Sequence, residues 1–238
     1  MAKQSKLQKP LKNINKSRHL KRGYEMLDEL IRIHREIEKE IDFSIQDKRL
    51  AIYLILGGMI TNEARSLYWL GIGNMENHAQ LQRLLAESMD LVIFFCETEE
   101  TSRQVKQWFN GRIISRQPGN AGNLTLTQRA RFFDTEEQTI KNMDETVKIA
   151  NEVLSPYMHP SYELVTATFD DKKNSFRYYS QRQKVMSQEE MKGKSRLGLS
   201  SILTAFGMSL ATIFLLDTAE HLKTIAAYMK EIYPEAYV

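Results

Sequence analysis

Leu197–Leu216 reads LGLSSILTAFGMSLATIFLL, twenty residues without a charge. A helix that apolar on every side has to be buried, in a protein core or in a bilayer. The length suits a span, Lys192, Lys194 and Arg196 flank one end as positive-inside topology favours, and Gly207 with Ala211 makes a small-xxx-small pair. Against a span, no Trp or Tyr belt brackets the stretch, and Asp217, Glu220 and His221 continue the helical pattern at once. Several further helices also need a rod to pack around, and a fully apolar helix is what the centre of a large bundle requires. The stretch therefore reads as a buried core helix, with a membrane anchor as the alternative.

Outward from it, Ser187 and Glu190 form a capping box that opens the final helical region, which continues through His221, Ile225 and Tyr228 to about Ile232. Toward the N-terminus, Arg18–Phe43 is amphipathic through Leu20, Tyr24, Leu27, Leu30, Ile31, Ile37 and Ile41. His34, among Arg32, Arg35 and Glu36, reads as a surface histidine. A second helix covers Asp47–Leu70, where Gly57-Gly58 marks a close contact or a bend and Gly71 and Gly73 end the element. A third covers Glu76–Glu97, and a shorter one capped by Thr98 stops near Gly111. PGNAGN at 118–123 is a loop. Further helices follow at 124–133 and from Asp134 to about Leu154, with another after Pro160. Phe169–Arg182 reads as irregular, with a short extended piece at 177–179.

The expectation is an all-α, single-domain bundle of six to eight helices around the buried helix 197–216. It comprises a basic disordered tail over 1–17 and a helical domain over 18–238. A chain of 238 residues with 42% apolar content can bury a sizeable core, and only 11 Gly and 5 Pro argue for long helices. The single cysteine, Cys96, excludes an internal disulfide and a Cys-based zinc site, and its apolar setting predicts an inert buried thiol. The net charge of +3 conceals an asymmetry: residues 1–22 carry eight Lys and Arg and no acid, leaving the rest at −5. The tail reads as a solubilising segment, with Lys12, Lys16, Arg18, Lys21 and Arg22 as the cations that would meet RNA or an acidic partner. The acidic body gives no general case for nucleic-acid binding. No P-loop, dinucleotide fingerprint, nucleophile elbow or cofactor motif occurs.

Three polar places interrupt apolar surroundings. Arg83 and Glu87, one helical turn apart and followed by Asp90, form the first. Ser155–His159 is the second, where Pro156 and Pro160 stiffen the backbone around an imidazole that titrates near neutrality. Asp217, Glu220 and His221 are the third, expected to face the same interior as Arg83 and Glu87. Glu87, His159, Asp217, Glu220 and His221 could be recruited to a metal, but no Glu-x-x-His pair of the di-iron kind is present, and no metal site is assigned.

LQRLLAESMDLVIFFCE at 81–97, with Arg83 and Glu87, resembles the Arg-x-x-x-Glu helix of the prokaryotic all-helical family catalogued as domain of unknown function 5677. SPYMHPS at 155–161, with Ser155, His159 and Pro160, resembles its downstream Ser–His element. The resemblance covers roughly residues 25–230 and implies a polar cluster of Arg83, Glu87 and His159, with Ser155, brought together by the fold. The family has no established activity, and helical proteins of this appearance are compared with HEPN domains, which include RNA-cleaving toxins. Those nucleases carry Arg and then His a few residues later on one helix, and no histidine follows Arg83 at that spacing. The reading is a cytoplasmic, prokaryotic binding or regulatory protein with a polar intra-bundle pocket, in a defence or stress setting and without a cofactor. A homo-oligomer is a candidate assembly. The alternatives are a metal-independent HEPN-like ribonuclease, with His159 as acid–base and Arg83 on a phosphate, and a membrane-anchored helical protein.

Overall fold

The computed structural model describes residues 17–97, 103–112, 138, 169–170, 175–176, 187–214 and 218–234. Six helices lie among them: α1 (Arg18–Glu38), α2 (Lys48–Gly71), α3 (Met75–Glu97), α4 (Arg103–Phe109), α5 (Gln188–Thr212) and α6 (Thr218–Ile232). The fold is an all-α bundle. The one pairing of extended backbone among the described residues sets β1 (Phe169–Asp170) antiparallel to β2 (Ser175–Phe176), within the stretch expected to be irregular.

The helix starts follow from local side-chain chemistry. Ser17 accepts from the Leu20 amide and Asp47 from the Leu50 amide, so each closes the first turn of its helix. Ser187 and Glu190 form the capping box expected of them. Between α2 and α3 the chain turns in three residues. The Gly73 amide reaches Leu70 O and the Asn74 amide reaches Trp69 O, with Gly73 at φ 79°. The Asn74 side chain then accepts from the Asn77 amide at 3.1 Å and starts α3. So tight a connection forces α2 and α3 to lie antiparallel and side by side.

α5 is the central rod. It touches α1, α2, α3 and α6, and every residue from Ser201 to Leu210 is buried. Leu199, Ile202, Leu203, Phe206 and Leu210 supply its apolar contacts, each worth about 1.5–3 kcal/mol on burial. Its hydroxyls bond back to their own helix, which satisfies those of the buried Ser201 and Ser209. Ser201 donates to Leu197 O at 2.8 Å, Ser209 to Ala205 O at 2.7 Å and Thr212 to Met208 O at 2.7 Å. Among the described residues no helix is long and apolar enough to cross a membrane.

The stretch 197–216 does not continue as one helix into 232. α5 stops at Thr212, where the Ile213 and Phe214 amides both bond to Ser209 O. α6 then runs back along α5: Gly207 lies near Ile225, and Ser200 receives the Tyr233 hydroxyl at 3.3 Å. A continuous rod would have carried the apolar side of α6, with Ile225, Met229 and Ile232, away from the core; the reversal buries all three. It also leaves Glu220 in a first helical turn, where the helix dipole favours an acid.

α1 crosses the same core through Leu20, Leu27, Leu30, Ile33 and Ile37. His34, expected at the surface, is half-buried. Its ring stacks on Tyr53 at 4.2 Å, and its Nε2 lies 2.9 Å from Tyr53 O. Gly57 leaves the room for that ring, being the close contact of the Gly57-Gly58 pair, whereas Gly58 faces open space.

Candidate functional site

A cluster of buried polar side chains sits where α2, α3 and α5 meet. Glu63 and Ser66 share one face of α2, and His78 and Gln82 share one face of α3. These four are buried, with exposures of 0%, 0%, 2% and 1%. The antiparallel hairpin brings the pairs together, and α5 closes the third side with Gly198. A Cβ there would come closer than 3.0 Å to Glu63 Oε2 and to both polar atoms of the Gln82 amide. Only glycine leaves the space that these side chains occupy.

The bonds run as a chain. Gln82 Nε2 donates to Glu63 Oε2 at 3.1 Å and to Ser66 Oγ at 2.6 Å. Ser66 Oγ lies 2.9 Å from His78 Nδ1. His78 also bonds to the Lys194 backbone on α5. Burial pushes the Glu63 carboxyl well above the usual carboxylate range, opposed in part by the Gln82 bond. Burial pushes the His78 imidazole down to about 4; the Lys194 charge adds to this, and bonds to the Ser66 and Lys194 backbone oppose it. Tyr24 on α1, whose hydroxyl donates to Ala64 O at 3.0 Å, has its own ionisation raised by burial and then by Glu63. Both shifts favour the uncharged form of the group.

The residues singled out from the sequence lie elsewhere. Arg83 and Glu87 bond to each other at 2.9 Å on the outer face of α3, with side-chain exposures of 37% and 60%. Ser155, His159, Asp217, Lys12 and Lys16 fall outside the described residues. Glu220 is exposed, and His221 bonds through Nε2 to Glu36 on α1 at 2.7 Å, so its partner is not the Arg83–Glu87 pair. Of the basic residues assigned to the tail, Arg18, Lys21 and Arg22 are already in α1. Arg22 forks onto Glu231 of α6 and also holds Glu25, while Lys21 pairs with Glu25 at 3.9 Å. Cys96 is partly buried. Among the described residues no group of three or more His, Cys, Asp or Glu could hold a metal ion.

Glu63 was passed over because α2 is apolar almost all round, so its charge pattern marks no inner face. Spacing carries a signal nonetheless. Glu63 and Ser66 fall in step with Met59, Ile60, Leu67 and Leu70, and His78 and Gln82 with Leu85 and Val92, all buried. No family model matches the chain, and no curated protein or solved structure matches it.

Proposed function

We propose that this chain is a non-enzymatic binding or regulatory protein of the prokaryotic cytoplasm, acting in a defence or stress setting. The observation that supports this reading is the state of the buried cluster. Its acid and its imidazole are both enclosed and bonded to other groups of the fold, which suits a structural fastener rather than acid–base chemistry on a substrate. Contacts with a ligand then belong on the outside. Arg83 and Glu87 stand on the exposed face of α3 beside Leu84, itself 44% exposed. Together with Ser155 and His159 they are the polar residues that the resemblance to domain of unknown function 5677 singles out, and we assign them to the ligand. The partner is a polyanion, RNA or an acidic protein. Lys12, Lys16 and Arg18 engage it, since Lys21 and Arg22 already pair with acids of the bundle.

The test uses the full chain and a fluorescent polyuridine RNA. Binding without strand cleavage is expected, with affinity falling steeply between about 50 and 200 mM salt and lost on deleting residues 1–16. RNA cleavage that disappears in His159→Ala while the fold persists would replace this reading with a HEPN-like nuclease. Absence of binding would remove RNA as the partner.

A further inference from the structure

The buried cluster is one donor short. Gln82 uses its amide hydrogens on Glu63 Oε2 and Ser66 Oγ. His78 Nδ1 lies 2.9 Å from Ser66 Oγ and 3.2 Å from Ser66 O, and the ring also bonds to the Lys194 backbone, so its donor and acceptor roles follow its tautomer. Two buried acceptors remain without a partner, Glu63 Oε1 and Gln82 Oε1. An ionised Glu63 would leave Glu63 Oε1 and Gln82 Oε1 both without a donor in a buried site, a costly arrangement. The Gln82 amide already donates to the Glu63 carboxyl, and both groups lie against Gly198.

We propose that Glu63 Oε1 carries a proton and donates it to Gln82 Oε1, closing a cyclic acid–amide pair that makes this cluster a proton-held latch between α2, α3 and α5. Within the pair every donor then has an acceptor: Glu63 donates to Gln82, and Gln82 donates to Glu63 and Ser66. The titratable groups facing Glu63 from its neighbours are Tyr24 on α1 and His78 on α3, with Lys194 of α5 beside the imidazole. Among the described residues no cation bonds Glu63, so nothing there favours the anion.

The latch has a signed pH dependence. The folded Glu63 holds its proton above the unfolded value of 4.5. Its contribution is therefore full below 4.5 and is lost as pH rises toward the point where the buried acid ionises. His78 runs the other way: its contribution is full above 6.5 and is lost as pH falls toward about 4. Between 4.5 and 6.5 the two slopes oppose, because the unfolded chain carries the proton on the imidazole and the folded chain on the carboxyl. Above 6.5 the His78 slope is gone, and what remains is the Glu63 slope, at up to about tenfold in the folding equilibrium per pH unit until the folded acid ionises.

Two measurements on the full chain test this. The Glu63 side-chain carboxyl, followed by carbon-13 NMR, is expected to keep the acid shift through the range in which exposed glutamates titrate; a Glu63 titration near 4.5 overturns the proposal. Glu63→Gln replaces the acid O–H with a permanent N–H in nearly the same shape. In urea unfolding it is expected to gain on the wild type as pH rises above 4.5, by up to about tenfold per pH unit until the folded acid ionises. Parallel stability curves for the two proteins overturn the proposal, and if the variant does not fold the NMR titration decides.

Discussion

Gln82 and Arg83 are neighbours on α3, yet they face opposite media. Gln82 is 1% exposed and bonds across helices to Glu63 and Ser66, whereas Arg83 points outward and bonds to Glu87 of its own helix. One step along a helix turns a side chain by about 100°, and that rotation separates a tertiary contact from a local one. The inner pair has no water to fall back on, so its geometry and protonation are tightly constrained. The outer pair trades one solvated arrangement for another and contributes a few tenths of a kcal/mol. The formally charged pair is the more visible in sequence and the weaker in the fold.

The sharpest way to break this contrast is Gly198→Ala. The methyl would collide with the ends of Glu63 and Gln82. Such ends normally swing aside, but here they are buried and bonded. A loss of about 3 kcal/mol or more is expected by urea denaturation. A change below about 1 kcal/mol would show the cluster to be loose and erase the distinction from the surface pair.

A comparable effect is expected from acid when the carboxyl's opposing slope is absent. In Glu63→Gln, stability falls as pH drops from 6.5 toward about 4, because the unfolded chain then protonates an imidazole that the fold keeps neutral. The loss approaches roughly 3 kcal/mol, at about 1.4 kcal/mol per pH unit. A flat curve would mean that His78 is reached by water. The smallest effect belongs to the outer face: Arg83→Ala changes stability by about 0.5 kcal/mol or less, and what remains of that difference shrinks further in high salt. A larger loss would place Arg83 inside the fastening network with Gln82.

Much of the fold was readable in advance because it rests on local chemistry. Asp47, Ser187 with Glu190, and Gly73 act within a few residues of themselves, so their roles follow from neighbours in the chain. The helical periods of 18–38 and 75–97 likewise record which side meets the core. The polar cluster was not read, because α2 and α5 are apolar nearly all round and a ring of apolar residues does not say which side a glutamate or a glycine faces. Arg83 and Glu87 drew the eye as a charged pair in an apolar helix, but charge alone does not choose between core and solvent. The reversal after Thr212 was missed for a similar reason. The residues beyond it keep a helical period, and only packing decides whether that period extends the rod or doubles back.

The sequence by itself determined an all-α bundle, the capping box of Ser187 and Glu190 and the burial of the stretch that begins at Leu197. These follow from composition, periodicity and contacts within a turn or two. The tertiary structure alone decided that Glu63, Ser66, His78 and Gln82 meet over Gly198, that His221 pairs with Glu36, and that Arg83 faces outward. The physical reason is that a side chain's environment, and with it the sign of its ionisation shift, is set by residues far away in the chain, which come into place only when whole helices dock.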